Sequence, residues 1–250
     1  MNTASAFPSE STPAGTPAPQ RRVIDAPTRV LHWLLALSFS GAYLTAESER
    51  WHLVHITLGY TALGVVLARL LWALVGPRRV RASVWTGKLR ALPQQARAWL
   101  EGKGQVQASF QALNALLIVA MLATVLLSAF SGVVLEQEWW GTLLEDVMEE
   151  AHELTGNVVL LLVLAHLGLV LGVSLLRRQN LALPMISGKT PGRGPDLVQR
   201  NLLPLGLAIV ALVLAFWAWQ WQQAPAASPD GSTQSSSLRK ERAGHDSDDD

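Results

Sequence analysis

The chain has 250 residues, of which 50% are hydrophobic and only 16% charged, where ordinary soluble domains carry about 25% charged residues. That deficit points to a membrane protein, and a formal net charge of +1 excludes the strongly basic face that a nucleic-acid binder needs. Cysteine is absent, which excludes disulfides, thiolate zinc sites, cysteine-held iron–sulfur clusters and covalent c-type haem attachment.

In chain order, residues 1–20 are rich in Ala, Pro, Ser and Thr, hold one charge (Glu10) and have no apolar run. They read as a disordered tail without a secretory signal. Five long, nearly uncharged runs follow: Val30–Ala46, Leu53–Val75, Ala112–Leu135, Leu154–Leu176 and Leu202–Trp221. Each approaches the ~20 residues that a helix needs to cross ~30 Å of hydrocarbon. The first is the shortest, so its helix is expected to begin a little earlier. A soluble bundle would show polar faces at a 3.6-residue period, and these runs show none. Pro93–Gly102, between the second and third runs, is expected to form a short surface helix. Residues 136–153 read as an acidic loop, and 224–250 as a second disordered tail, Ser-rich and ending in Asp248, Asp249 and Asp250. The expected organisation is a tail (1–20), a four-helix domain (21–190), a fifth transmembrane helix with its lead-in (191–223) and a tail (224–250).

The connections set the expected orientation. Residues 76–111 carry Arg78, Arg79, Arg81, Lys88, Arg90, Arg97 and Lys103 against Glu101, and residues 177–201 carry Arg177, Arg178, Lys189, Arg193 and Arg200 against Asp196. The opposite loops hold one basic residue, Arg50. The positive-inside rule places the N-terminus and both basic segments in the cytoplasm and the C-terminus outside. Trp51, Trp139, Trp140, Trp217, Trp219 and Trp221 then fall at outer helix ends and Trp33 and Trp72 near inner ends, as an aromatic belt requires.

Ionisable residues within spans are costly, which makes them functional candidates. His32 lies in the first span, His55 in the second, and His152 and His166 open and occupy the fourth. His152 and His166 are 14 residues apart, which puts them on one helix face, ~21 Å apart along the axis. By depth the four sort into an outer pair, His55 with His152, and an inner pair, His32 with His166. Paired imidazoles on neighbouring apolar helices suit haem b held non-covalently by bis-His ligation. Zinc does not suit them, since it needs three or four clustered ligands. Gly59 and Gly64 on the second helix, and Gly168 and Gly172 on the fourth, could thin the backbone for a flat porphyrin; plain helix packing is the alternative. Arg69 shares the face of His55 nearer the cytoplasm, either as partner of an inner-haem propionate or as a side chain snorkelling to the interface.

These residues also carry a family resemblance. Asp25-Ala-Pro-Thr-Arg-Val-Leu-His32-Trp33, His55-Ile-Thr-Leu-Gly-Tyr60, Arg69-Leu-Leu-Trp-Ala-Leu-Val-Gly-Pro77, His152-Glu153 with Asn157, His166, and the Gln179-Asn-Leu and Met-Ile-Ser-Gly-Lys189 stretches resemble the bacterial cytochrome b561 and nickel-hydrogenase cytochrome b family. The resemblance spans about residues 23–190. It implies a four-helix core with two b haems in the bacterial inner membrane; the fifth run, Leu202–Trp221, and the long tail depart from the four-helix members, so the expected fold is all-α integral membrane, a four-helix di-haem bundle plus a fifth transmembrane helix. His32, His55, His152 and His166 match the family's ligand positions. The implied function is electron transfer between the quinone pool and a periplasmic redox protein, either a c-type cytochrome or a hydrogenase-like partner. Quinone oxidation or reduction is the only further chemistry expected. Two rivals are a haem-free transporter or channel using the intramembrane His and Arg69, which predicts no visible absorption, and a membrane anchor with structural haem, which predicts haem that quinol cannot reduce.

Overall fold

A computed structural model describes residues 19–76, 81–139, 141 and 144–223. The two tails, apart from Pro19 and Gln20, and Trp140 lie outside the described residues. The first helix, α1 (Ala26–Thr45), starts four residues before the apolar run. Asp25 caps it, its Oδ1 accepting from the Thr28 N–H at 2.8 Å, and Pro27 sits in the first turn, where a missing N–H costs nothing. A short turn over Glu49–Trp51 leads into α2 (His52–Val75), which stops at Gly76; that residue adopts the extended conformation favoured before Pro77.

Two short helices follow, α3 (Ala82–Arg90) and α4 (Leu92–Leu100), the second over the segment expected to be helical. Then come the long helices α5 (Val106–Glu136, 31 residues) and α6 (Glu145–Arg177, 33 residues). The acidic stretch is therefore mostly helical rather than a loop, with Glu138 alone of its carboxylates between the two helices. Glu136 ends α5, and Glu145 to Glu153 lie in the first turns of α6, where Glu145 and Asp146 complement the positive end of the helix dipole. After α6 come α7 (Leu183–Ser187) and α8 (Leu203–Gln223).

Among the described residues four segments are long and apolar enough to cross a membrane: Glu49–Val75, Val106–Glu136, Glu145–Arg177 and Leu203–Gln223. The molecule is an all-α, multi-span membrane bundle. α1 has 20 residues but is not among these segments, because Thr28, Arg29, His32, Ser38 and Ser40 interrupt its apolar stretch.

α1 packs on α2, α2 on α5, and α5 on α6. A small apolar core joins these helices: Ala62 and Val66 of α2, Leu122 and Val125 of α5, and Val159 of α6, with Phe39 of α1 packed against it. α6 is otherwise bound mainly to α5; it reaches α1 through the hydrogen bond from the Tyr43 hydroxyl to Asn157 Oδ1, 2.9 Å.

The segment after α6 folds back onto the start of α1. Strands β1 (Gln20–Arg22) and β2 (Lys189–Pro191) pair antiparallel, with Arg21 opposite Thr190. The Gly188 carbonyl accepts from the N–H groups of Val23 and Ile24, and Arg29 Nη1 donates to the Ile186 carbonyl at 2.8 Å. Contacts divide the chain within α8. The first unit runs to Val213 and includes Gly206, which backs onto Ala26 and Val30. The second begins at Leu214; its described part is the last turns of α8, where Phe216 and Trp219 stack obliquely, centroids 6.2 Å apart.

Candidate functional site

α2 opens at His52 and α6 at Glu145, so His55 and His152 both lie near the N-terminal ends of their helices. The structure brings their rings together, centroids 6.0 Å apart and nearly perpendicular. His55 Nδ1 lies 2.9 Å from the Ala42 carbonyl of α1, and His152 Nδ1 lies 2.8 Å from the Ser128 carbonyl of α5. A carbonyl oxygen only accepts, so each Nδ1 is the N–H donor and each Nε2 keeps its lone pair for a ligand. This is how proteins orient a metal-binding imidazole.

Both rings line a cavity of about 280 Å³, with Gly59 and Tyr60 on the α2 side and Gly132 on the α5 side. Two polar pairs edge it. His52 Nε2 faces Glu136 Oε2 at 3.7 Å, and Gln137 Nε2 donates to the Tyr60 hydroxyl at 3.0 Å. Of the four glycines expected to admit a porphyrin, only Gly59 lines this cavity. Gly64, Gly168 and Gly172 do not line it; all three are exposed, and a Cβ at any of them, as at Gly59, would meet nothing within 4 Å. The reason is angular. Gly64 lies nine residues from His55, and at ~100° per residue that places it on the opposite side of α2.

At the other end of the bundle His32, half-buried, stands within electrostatic reach of His166 and Arg69. The Nδ1 atoms of His32 and His166 are buried and have no hydrogen-bond partner among the described residues. Trp33 lies edge-on to His32, centroids 5.3 Å apart, and its Nε1 donates to the Met185 carbonyl at 3.1 Å. The Arg69 guanidinium is covered by the Trp85 ring of α3, 4.7 Å from Cζ to the ring centre, and its Nη1 is buried without a hydrogen-bond partner among the described residues. α6 runs unbroken from Glu145 to Arg177, so His152 and His166 are ~21 Å apart along it. Val159 lies seven residues from each histidine and 1% exposed, so the apolar core fills the level between the two pairs.

Sequence reasoning missed the α5 residues Ser128, Ser131 and Gly132. Their signal is three small residues at i, i+3 and i+4 in a span of large apolar ones, which marks a close approach on one helix face.

A membrane bundle with paired, depth-sorted imidazoles and no cysteine has the features of a b-type cytochrome. A family model for prokaryotic cytochrome b561 matches residues 23–188, well over half of the chain, and the protein belongs to that family. It is a transmembrane b-type cytochrome that transfers electrons, with haem b as the family's cofactor. No curated protein and no solved structure matches it.

Proposed function

We propose that the chain holds two b haems, one between His55 and His152 and one between His32 and His166, and passes electrons between a periplasmic redox protein and quinone. The observation that carries this reading is the His55/His152 pair. Both Nδ1–H groups are tied to backbone carbonyls, and both rings border one cavity, so two free Nε2 lone pairs are available there. Haem iron, when bound, supplies one-electron exchange between its ferric and ferrous states. The chain's own residues hold and orient it. At the His32 end, the orphaned Nη1 of Arg69 suits a propionate carboxylate, since a buried donor without a partner is costly. The apolar core between the pairs excludes water, which lets electrons cross a layer that bars protons.

In this reading α1, α2, α5 and α6 form the four-helix di-haem domain over 21–190, with α1 crossing the membrane despite its polar residues, and α8 is a fifth crossing. The basic segments 76–111 and 177–201 put the His32 end in the cytoplasm and the His55 end outside. A reporter active only outside the cytoplasm, fused at Gln222, should then be active; activity only from fusions within 85–105 reverses the orientation.

The purified protein is expected to show haem b bands that sharpen on dithionite and to give two haems per chain in a pyridine haemochrome assay. A quinol should reduce it. A chain that binds no haem when expressed with ample haem supply is not this cytochrome. Haem that quinol leaves oxidised removes the quinone step.

A further inference from the structure

α5 carries none of the four histidines, yet Ser128, Ser131 and Gly132 on it stand against His152. Its Ser128 carbonyl lies 2.8 Å from His152 Nδ1, and Ser131 Oγ lies 3.2 Å from the same atom. Ser131 is buried, and its hydroxyl donates to the Ser128 carbonyl at 2.9 Å, which turns an oxygen lone pair toward the imidazole N–H. Among the described residues the His152 N–H is thus shared between two acceptors, whereas His55 has one, the Ala42 carbonyl.

Gly132 stands one residue further on. A Cβ built there would come 2.8 Å from His152 Cε1 and 3.1 Å from Nδ1. Real Cβ atoms essentially never approach within 3.0 Å, so the ring would have to move. It has little freedom to do so, because Nδ1 is anchored on two oxygens. Cε1 is bonded to Nε2, so the displacement falls on the atom whose lone pair faces the cavity. Gly132 lies in the helical interior of α5, where glycine weakens a helix and no unusual φ calls for it. What the site gains from glycine is space for an imidazole.

Resting on the reading of His152 as a haem ligand, we infer that Gly132 and Ser131 are positioning residues for that ligand. Gly132 admits the ring, and Ser131 fixes its rotation and the basicity of Nε2. Ligand basicity tunes the potential of a bound iron, so α5 acts on the outer haem through its ligand as well as by lining the cavity.

The test uses the haem-loaded full chain with four variants. Gly132→Ala is expected to halve the haem content or, where haem stays, to shift the low-spin electron paramagnetic resonance signal and midpoint potential of one haem only. Ser131→Ala should keep both haems and shift the potential of that same haem. Gly64→Ala, whose methyl group meets nothing within 4 Å, should match the parent. Both haems retained in Gly132→Ala with the parent's resonance signals and potentials overturns the inference. Should that variant fail to assemble, an unshifted potential in Ser131→Ala overturns it instead. His152→Ala separates this from the ligand assignment: two haems surviving there defeat the assignment, whereas one haem lost there and none disturbed in the α5 variants defeats only the positioning role.

Discussion

His55 and His152 differ from His32 and His166 in what holds their Nδ1 atoms. The first two are set by backbone carbonyls before any cofactor arrives. Among the described residues the second two have buried Nδ1 atoms without partners, and Arg69 Nη1, within reach of His32, is in the same condition. Each buried polar group left unpaired costs about 1–3 kcal/mol, so the His32 end is the more dependent on its ligand. His166→Ala should therefore abolish the inner haem and leave the outer one, and His55→Ala should do the reverse. Haemochrome stoichiometry, together with the resonance signal that persists, checks both. Two haems in His166→Ala, or the same haem lost in both variants, contradicts the pairing. The four histidines and their sorting by depth were legible in the sequence, because an intramembrane imidazole is rare and helix rise is fixed. The settings of those histidines were not. Gly132 matters only because α5 happens to back His152, and no local pattern in the sequence says which helix stands behind which ring.

At the scale of elements, the long helices were readable as apolar runs, but their ends were not. α1 starts at Ala26 because of the Asp25 cap and Pro27, and α6 starts nine residues before its apolar run because carboxylates favour a helix N-terminus. β1 and β2, three residues each and far apart in the chain, are too short to show alternation. Their pairing matters because it closes the segment after α6 over the start of α1, where Trp33 contacts both His32 and the Met185 carbonyl. Gly188 is the hinge of this closure. Its φ of +75° lies in the left-handed region, and a Cβ there would stand 2.9 Å from the Ile24 carbonyl oxygen. Gly188→Ala meets both the backbone penalty of roughly 1–2 kcal/mol and a backbone clash. It is expected to make residues 183–201 more sensitive to protease and to shift the potential of the inner haem, with the outer haem unchanged. Parental protease resistance and potentials in this variant would show that the closure does not steady His32.

Over the whole molecule, charge and polarity are divided by level. An apolar core around Val159 separates two polar ends, one of which meets the acidic start of α6. Glu145, Asp146, Glu149, Glu150 and Glu153 are all exposed, and at ~100° per residue they fall within an arc of about 140° on that helix. His152 lies about 20° outside the edge of the arc, beside Glu145, so the acidic face borders the proposed outer haem. The dipole of α6 accounts for its first turn, Glu145 and Asp146. It does not account for Glu149, Glu150 and Glu153 one and two turns further on, and acidic residues contribute little to membrane orientation. A continuous negative face next to a haem would steer a cationic redox protein toward the haem edge and raise the encounter rate. Exposed charges are screened beyond ~8–10 Å at physiological ionic strength, so electron exchange with a basic soluble c-type cytochrome should slow as salt rises. Replacing Glu145, Asp146, Glu149 and Glu150 by Gln or Asn should slow exchange at low salt by 10-fold or more, the lower end of the ~10–10³ range for steering, and flatten the salt dependence. Stopped-flow mixing of the reduced soluble cytochrome with the oxidised membrane protein measures both. The quadruple change leaves His152, Ser131 and Gly132 in place, so haem content and potentials should match the parent and the loss should appear only in the second-order rate. A parental rate at low salt in the quadruple variant would place docking away from α6.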